Sequence, residues 1–350
     1  MSVRLFWMVL IMVVAGRPLL AGSGDRPYAN AFLEIPVGAR AAGLGNAYGA
    51  VANDATAFFW NPAGIALAHR REIALMYANQ FDGFGQYNFV GYTHQLSEKY
   101  GFSVAWIRHS VGSIDEFKEL AGNAFDRGQT DYDFSGYSNG RWDYADNAYV
   151  FSFARLNKMR MNLGWLYNEF PVEIPVGVNF KVIQGGSSGI RGNGIVNEDV
   201  KNFGIGVDIG TMIMFGMNDL LEAPYLGDFV LGLNVQDATT TAVRWNAISS
   251  NVRAQDVVKP NFKLGMSYNH PMDELKSNVL VTYEHNSRYG GDHHFGVEYD
   301  YQRLVAMRVG SDGGILTYGA GLSMYQVHLD YALSNQALGF VHRISVSYRF

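Results

Sequence analysis

The sequence predicts an all-β chain: a transmembrane antiparallel β-barrel of about fourteen strands, with a small N-terminal helical and irregular hatch inside its lumen. Three observations predict it. Period-two alternation recurs along most of the chain, in runs long enough to cross a bilayer on a tilt. One short apolar run near the start reads as an export signal, and no later apolar run is long enough for a spanning helix. The final strand alternates to the end and closes on Phe350.

Composition agrees. Of 350 residues, 48% are hydrophobic, 14% aromatic and only 17% charged, and forty are glycine. That suits a protein with an apolar outside. With 27 Lys+Arg against 32 Asp+Glu the formal charge is -5, which argues against a nucleic-acid partner. The absence of cysteine excludes a disulfide scaffold, thiol catalysis and thiolate metal sites.

Residues 1–21 read as a signal peptide. Arg4 precedes the uncharged core Leu5 to Ala15, Arg17 and Pro18 end it, and cleavage is expected after Ala21. Residues 22–70 are expected to form the hatch, or plug. Alternation disappears over 32–65, and small residues dominate, Gly38, Ala39, Gly43, Gly45, Ala47 and Gly49 among them. Such a stretch packs tightly and turns sharply. Asn61-Pro62-Ala63-Gly64 reads as its stop, because Pro62 fixes a turn and Gly64 permits a positive φ.

The barrel is expected over 71–350. Its strands read 72–80, 86–96, 99–109, 145–155, 160–184, 202–214, 227–236, 259–268, 276–286, 292–300, 302–310, 315–323, 326–333 and 340–350. Phe262, Leu264, Met266 and Tyr268 face one way, for example, and Lys263, Gly265 and Ser267 the other. A soluble sandwich or propeller alternates too, but its strands are usually shorter. Pro171 and Pro175 interrupt 160–184, which counts as one bent strand or two. Loop parity favours one. With fourteen strands the long connections 110–144, 185–201 and 237–258 share one end, and the short connections 97–98, 156–159 and 324–325 share the other. The connection 215–226 is long for the short-turn end, and the pattern does not explain it.

In the last strand Ile344, Val346, Tyr348 and Phe350 face one way, against Arg343, Ser345, Ser347 and Arg349. Tyr348 and Phe350 resemble the assembly signal of bacterial outer-membrane barrels, and the resemblance implies the barrel assembly machinery as a partner during biogenesis and outer-membrane lipid around the folded chain. The connection 110–144 is rich in aromatics, including Phe125, Tyr132, Phe134 and Trp142, and these are candidates for a ligand groove or a protein contact. They equally suit packing on each other over the barrel mouth.

Chemistry is sparse. No nucleophile elbow, phosphate loop or zinc-protease pattern occurs, so neither enzyme activity nor a cofactor is expected. His293 and His294 are adjacent, and adjacent strand residues point oppositely, which makes a poor chelate. Asp131 to Gly136 opens like a calcium loop, but Trp142 occupies the closing position. No metal site is expected.

The run from Pro36 to Ala66 resembles the N-terminal signature of the PorV/PorQ family, within the wider FadL-like outer-membrane β-barrel group. The match is carried by Pro36-Val37-Gly38-Ala39-Arg40, Gly43-Leu44-Gly45, Asp54-Ala55-Thr56-Ala57 and Trp60-Asn61-Pro62-Ala63-Gly64. The remainder of the chain matches in architecture only. The resemblance implies a fourteen-stranded barrel whose hatch carries its Asn-Pro-Ala motif at Asn61, Pro62 and Ala63. It makes Gly43, Gly45, Asn61, Pro62, Ala63 and Gly64 candidates for ligand binding or gating. It also implies passage of small hydrophobic compounds such as fatty acids. The alternative it implies is a PorV-like component of type IX secretion or surface assembly, docking secreted proteins through its outer loops.

Overall fold

The structure is a computed structural model that describes residues 31–80, 83, 85–117, 138–162, 164, 169–188, 200–246, 255–288, 291–336 and 339–350. The expected signal peptide, and Phe125, Tyr132 and Phe134, lie outside the described residues.

Fourteen antiparallel strands close into a barrel. They are β1 (Arg71–Gln80), β2 (Gly85–Ser97), β3 (Tyr100–Phe117), β4 (Ser138–Asn162), β5 (Glu169–Ser188), β6 (Val200–Gly216) and β7 (Asp228–Gln236), followed by β10 (Asn261–Met272), β11 (Ser277–Asn286), β12 (Asp292–Tyr301), β13 (Val305–Asp312), β14 (Ile315–Met324), β15 (Val327–Gln336) and β16 (Gly339–Arg349). Each pairs with its neighbour, and β16 pairs with β1 from Glu72↔Arg349 to Gln80↔Val341. Closure leaves the wall without an edge. The Phe350 amide donates to the Arg71 carbonyl at 3.0 Å, and the Arg71 guanidinium lies over the Phe350 ring.

The alternation sorts the residues as the pattern requires. On β1, Ile73, Leu75 and Tyr77 are exposed outside, while Glu72, Ala74, Met76 and Ala78 are buried inside. On β12, Phe295, Val297 and Tyr299 face out, while His294 and Glu298 face in. The outward set forms an apolar band around the wall.

Four expectations need correction. Residues 110–144 are not all loop. β3 continues to Phe117 and β4 begins at Ser138, with Ile114 opposite Trp142 and Asp115 opposite Arg141. Trp142 is thus a half-buried strand residue, not a loop residue. The ladder carries a register irregularity between Val111 and Ile114. Second, 160–184 divides between two strands: Arg160 to Asn162 end β4, and β5 starts at Glu169. The strand count stays fourteen, and both prolines sit in β5. Its ladder to β6 skips Ile174 and Pro175, and the Thr211 hydroxyl donates to the Pro175 carbonyl at 3.0 Å. Third, the connection 237–258 holds a hairpin, β8 (Thr241–Trp245) and β9 (Gln255–Val258). β8 pairs with Asn202 to Ile205 of β6, where β7 has already ended. Fourth, the unexplained connection 215–226 contains a short helix (Met217–Leu221), ended by Glu222 in the left-handed region at φ 54°. A helix consumes length without reaching far, so the turn remains compact.

Candidate functional site: a plugged lumen with two unlike flanks

Residues 31–68 lie inside the barrel. They form a 3-10 turn (Ala31–Glu34), helix α1 (Ala39–Gly43), helix α2 (Ala57–Trp60) and a 3-10 turn (Pro62–Leu67), joined by tight turns. None is long enough to be stable alone, so the wall must hold them. It does so first by making room. Inward glycines meet the plug on many strands: Gly177 on β5 and Gly210 on β6 touch Pro62 and Asn61, Gly232 on β7 touches Gly49, and Gly310 on β13 touches Gly45. The plug answers with small residues. A Cβ on Gly45, which sits at φ +63°, would lie 2.4 Å from the Ser311 amide and 2.5 Å from the Phe295 carbonyl. Gly43 faces Gly319, and a Cβ on Gly64 would lie 2.0 Å from the Ala52 carbonyl.

The Asn-Pro-Ala segment shows why each residue type suits its place. Asn61 is fully buried. Its Oδ1 accepts from the Ala63 amide at 3.1 Å and caps the Pro62–Leu67 turn, with Pro62 in the first position, where no N–H is needed. Its Nδ2 donates to the Gly49 carbonyl within the plug and to the Thr211 carbonyl on β6, both at 3.1 Å. One side chain thus ties two plug turns and the wall together. Gly43, Gly45, Asn61, Pro62, Ala63 and Gly64 are all buried. They are not one cluster: Gly43 and Gly45 face β12 to β14, whereas Asn61 and Pro62 face β5 to β7.

The two flanks of the lumen differ in chemistry. Against β11 to β16 the plug residues 39–49 meet charge. Arg40 grips Glu298 of β12 with two bonds, of 2.9 and 2.8 Å. Arg308 of β13 also binds Glu298 and reaches Asp330 of β15 at 2.7 Å. Arg40 donates to the Tyr48 hydroxyl, which donates to Asp54 at 2.6 Å. Burial and the nearby Asp54 carboxylate push the Tyr48 phenol's pKa well up against the opposing pull of Arg40, which keeps it a donor. Glu284 of β11 accepts from the Tyr48 and Gly49 amides at 3.2 and 2.6 Å. Such charge-assisted bonds are the strong ones, and around the buried Glu298 and Arg308 they are costly to break.

Against β2 to β5 the contacts are apolar. Phe58, Phe59, Ala63, Ile65 and Ala66 of the plug share one core with Tyr87, Phe89, Ala105, Ile107, Ala148, Val150 and Ile183 of the wall. Phe58 stacks on Phe89 with centroids 5.6 Å apart. Asn179 of β5 and Gln236 and Asn234 of β7 donate to the carbonyls of Phe58, Phe59 and Trp60 at the end of α2. These satisfy a helix end that would otherwise be buried unpaired. The buried Lys181 of β5, paired with Asp208 and Asp237, borders Phe58 and Phe59 where this flank ends.

Two chambers flank the plug. One of about 300 Å³ opens at the long-loop end, floored by Phe59 and Trp60 and rimmed by Lys263, Arg288 and Arg343. One of about 430 Å³ opens at the short-turn end, beneath Arg40 and Asp54. They share no lining residue. A third, wider cup of about 950 Å³ stands inside the long-loop ends of β2 to β6. His293 points outward, 2.8 Å from the Tyr283 hydroxyl, while His294 points inward to Asp312 and the Gly45 carbonyl. The pair diverges as expected, and among the described residues no cluster of His, Asp and Glu has metal-binding geometry.

The charged flank was absent from the sequence-derived candidates. Its inward acids and bases, Glu284, Glu298, Arg308 and Asp330, stand at strand positions where small residues would suffice, and that is the signal they offer.

The model of an uncharacterised protein family (UPF0164) matches residues 22–140. No protein of curated function matches the chain. Among solved structures, the chain is similar to the deltaS2 mutant of the TodX monoaromatic hydrocarbon channel, at 11% identity and a TM-score of 0.53, covering 90% of this chain and 99% of that one. Also similar are the Pseudomonas putida toluene transporter TodX (11% identity, TM-score 0.48, 90% and 98% covered) and a Pseudomonas aeruginosa FadL homologue (12% identity, TM-score 0.47, 90% and 99% covered). The shared property is the fold: a closed fourteen-strand barrel of the FadL-like kind.

Proposed function

We propose that the protein is an outer-membrane barrel that passes small hydrophobic compounds down their gradient, with residues 31–68 as its gate. The apolar outer band suits a bilayer, and the long-loop end would face outward. The observation that carries the reading is the split lumen. Plug and wall meet through hydrocarbon along β2 to β5, beside a cup that opens to the long-loop end. An apolar solute can replace apolar contacts there with little loss, whereas on the β11 to β16 side it would strand buried charges. The likeness to hydrocarbon channels supports the same class of passenger. No energy-coupling motif occurs in the sequence, so flux follows the gradient.

The test is uptake of a labelled monoaromatic hydrocarbon and a labelled long-chain fatty acid by a Gram-negative host lacking its own hydrophobic channel. Expression of the chain should raise uptake of at least one, and Ala105→Trp, which crowds the apolar flank, should reduce it. Uptake equal to that of empty vector, with the barrel folded in the membrane, would defeat the proposal. One observation favours the second reading, a PorV-like barrel that docks secreted proteins: the plug separates two chambers that share no lining residue. That reading predicts no uptake at all and a secreted protein co-purifying with the intact chain.

A further inference from the structure

The chamber at the long-loop end holds three cationic side chains besides its histidine, and one of them has no ion-pair partner within reach. Lys263 lies 3.9 Å from Glu284. Arg288 pairs with Glu34 at 2.8 Å and Asp237 at 3.2 Å. Arg343, only 3% exposed, lines the same chamber with no ion pair or hydrogen bond from its guanidinium among the described residues, and its Nε is buried without an acceptor. The nearby carboxylate of Asp312 is already engaged by Asn46 at 2.7 Å and His294 at 3.0 Å. An arginine cannot shed its charge to escape this. A buried guanidinium without an acceptor calls for an anion.

Two further donors stand in the same part of the wall. Tyr87 of β2 lies opposite Ala78 of β1, which lies opposite Arg343 of β16, which lies opposite Ala332 of β15. Two positions further along β15 is Ser334. The Tyr87 hydroxyl and the Ser334 hydroxyl are both buried without a partner. The positions between the long side chains are alanines. We propose that Arg343 anchors a carboxylate-binding site at the plug–wall junction, completed by Tyr87 and Ser334, for a small polar monocarboxylic acid.

The chemistry selects the class. The planar guanidinium fork matches a carboxylate bidentately. The chamber measures about 300 Å³, and Gln80, Gln236, Asn286 and Gln336 on its walls suit a hydroxylated or amide-bearing body rather than an alkyl chain. Glu284 and Asp312 share the chamber and disfavour a second negative charge. Arg343 and Ser334 lie outside the apolar flank and Tyr87 stands at its margin. Acetate binding and hydrophobic uptake are measured separately, so the failure of this site and the failure of the proposed passage are read by different experiments.

The probe is acetate, titrated calorimetrically into the detergent-solubilised full chain against chloride at constant ionic strength. Saturable acetate binding is expected, weakened at least tenfold in Arg343→Met and retained within severalfold in Arg343→Lys. Tyr87→Phe and Ser334→Ala should each weaken it about tenfold or more, the loss of one hydrogen bond to a charged group. An acetate response indistinguishable from chloride, or undiminished in Arg343→Met, would overturn the site. Should Arg343→Met not fold, unchanged affinity in both hydroxyl variants overturns it instead.

Discussion

The two flanks of the lumen hold one plug by opposite means. On the β11 to β16 side, Arg40, Tyr48 and Gly49 are held by directional, charge-assisted bonds to Glu298 and Glu284. On the β2 to β5 side, Phe58, Phe59 and Ile65 are held by packing alone over much of the contact. Directional bonds between buried charges have few alternative partners, so they hold or fail as a unit. Packing contacts are individually weak and can be exchanged one at a time for contacts with a passing solute. The difference teaches how a plug can be fixed in register and still yield along one side: the charged flank serves as a hinge and the apolar flank as the seam.

The largest expected effect breaks the hinge. Glu298→Ala leaves Arg40 and Arg308 buried without their shared carboxylate, which should cost about 3–5 kcal/mol. Chemical denaturation of the detergent-solubilised barrel measures this, and protease cleavage within residues 31–68 reports whether the plug has left. A loss under about 1 kcal/mol, with the plug still protected, would show that the charged network is not what holds it.

The next effect is steric. Gly45→Val places a branched side chain at φ +63° against the backbone of Ser311 and Phe295. Backbone in a closed barrel cannot retreat, so a cost of about 1–3 kcal/mol is expected, read as a lower denaturation midpoint. A variant as stable as the parent would mean that the plug turn relaxes freely, and the hinge would lose its rigid support. Asn61→Ala should follow at about 1–3 kcal/mol, because it leaves the Ala63 amide and the Gly49 carbonyl without their bonds. An unchanged midpoint would deny the side chain its tying role between plug turn and wall.

Legibility in the sequence follows the same division. Strand positions were readable because the outer face repeats every two residues, and lipid-facing Phe262, Leu264 and Met266 announce themselves locally. Glycines on the inner face were visible as the small set, and the plug's own small residues as its complement. The pairing of Arg40 with Glu298 was not readable, since 258 residues separate them and only the closed wall brings them together. The hairpin β8–β9 escaped because Thr241–Trp245 is five residues long and its partner four, too short for alternation to stand out. The extension of β3 and β4 beyond the apolar band escaped for a related reason. Outside that band, apolar residues are no longer required on one face, so the period fades while the backbone ladder continues.

The smallest expected effect bears most directly on the seam. Ile107 is buried on β3 beside Val150, Phe58, Phe59 and Leu33, which form the apolar side of a void of about 20 Å³ whose other side is closed by Lys181, Asp208, Gln236, Asp237 and Arg288. Ile107→Val removes one methylene there, and the stability loss should be about 0.5–1.5 kcal/mol. The void enlarges on the side where plug and wall meet through hydrocarbon, so solutes need displace less to enter. Uptake of a monoaromatic probe should therefore rise although stability falls. The matched change on the opposite flank is Thr317→Ser, which also removes one methyl but keeps the hydroxyl that donates to the Gly43 carbonyl at 3.3 Å. It should leave uptake where it was. Equal responses from the two variants would mean that general loosening of the plug, and not an apolar seam, governs passage.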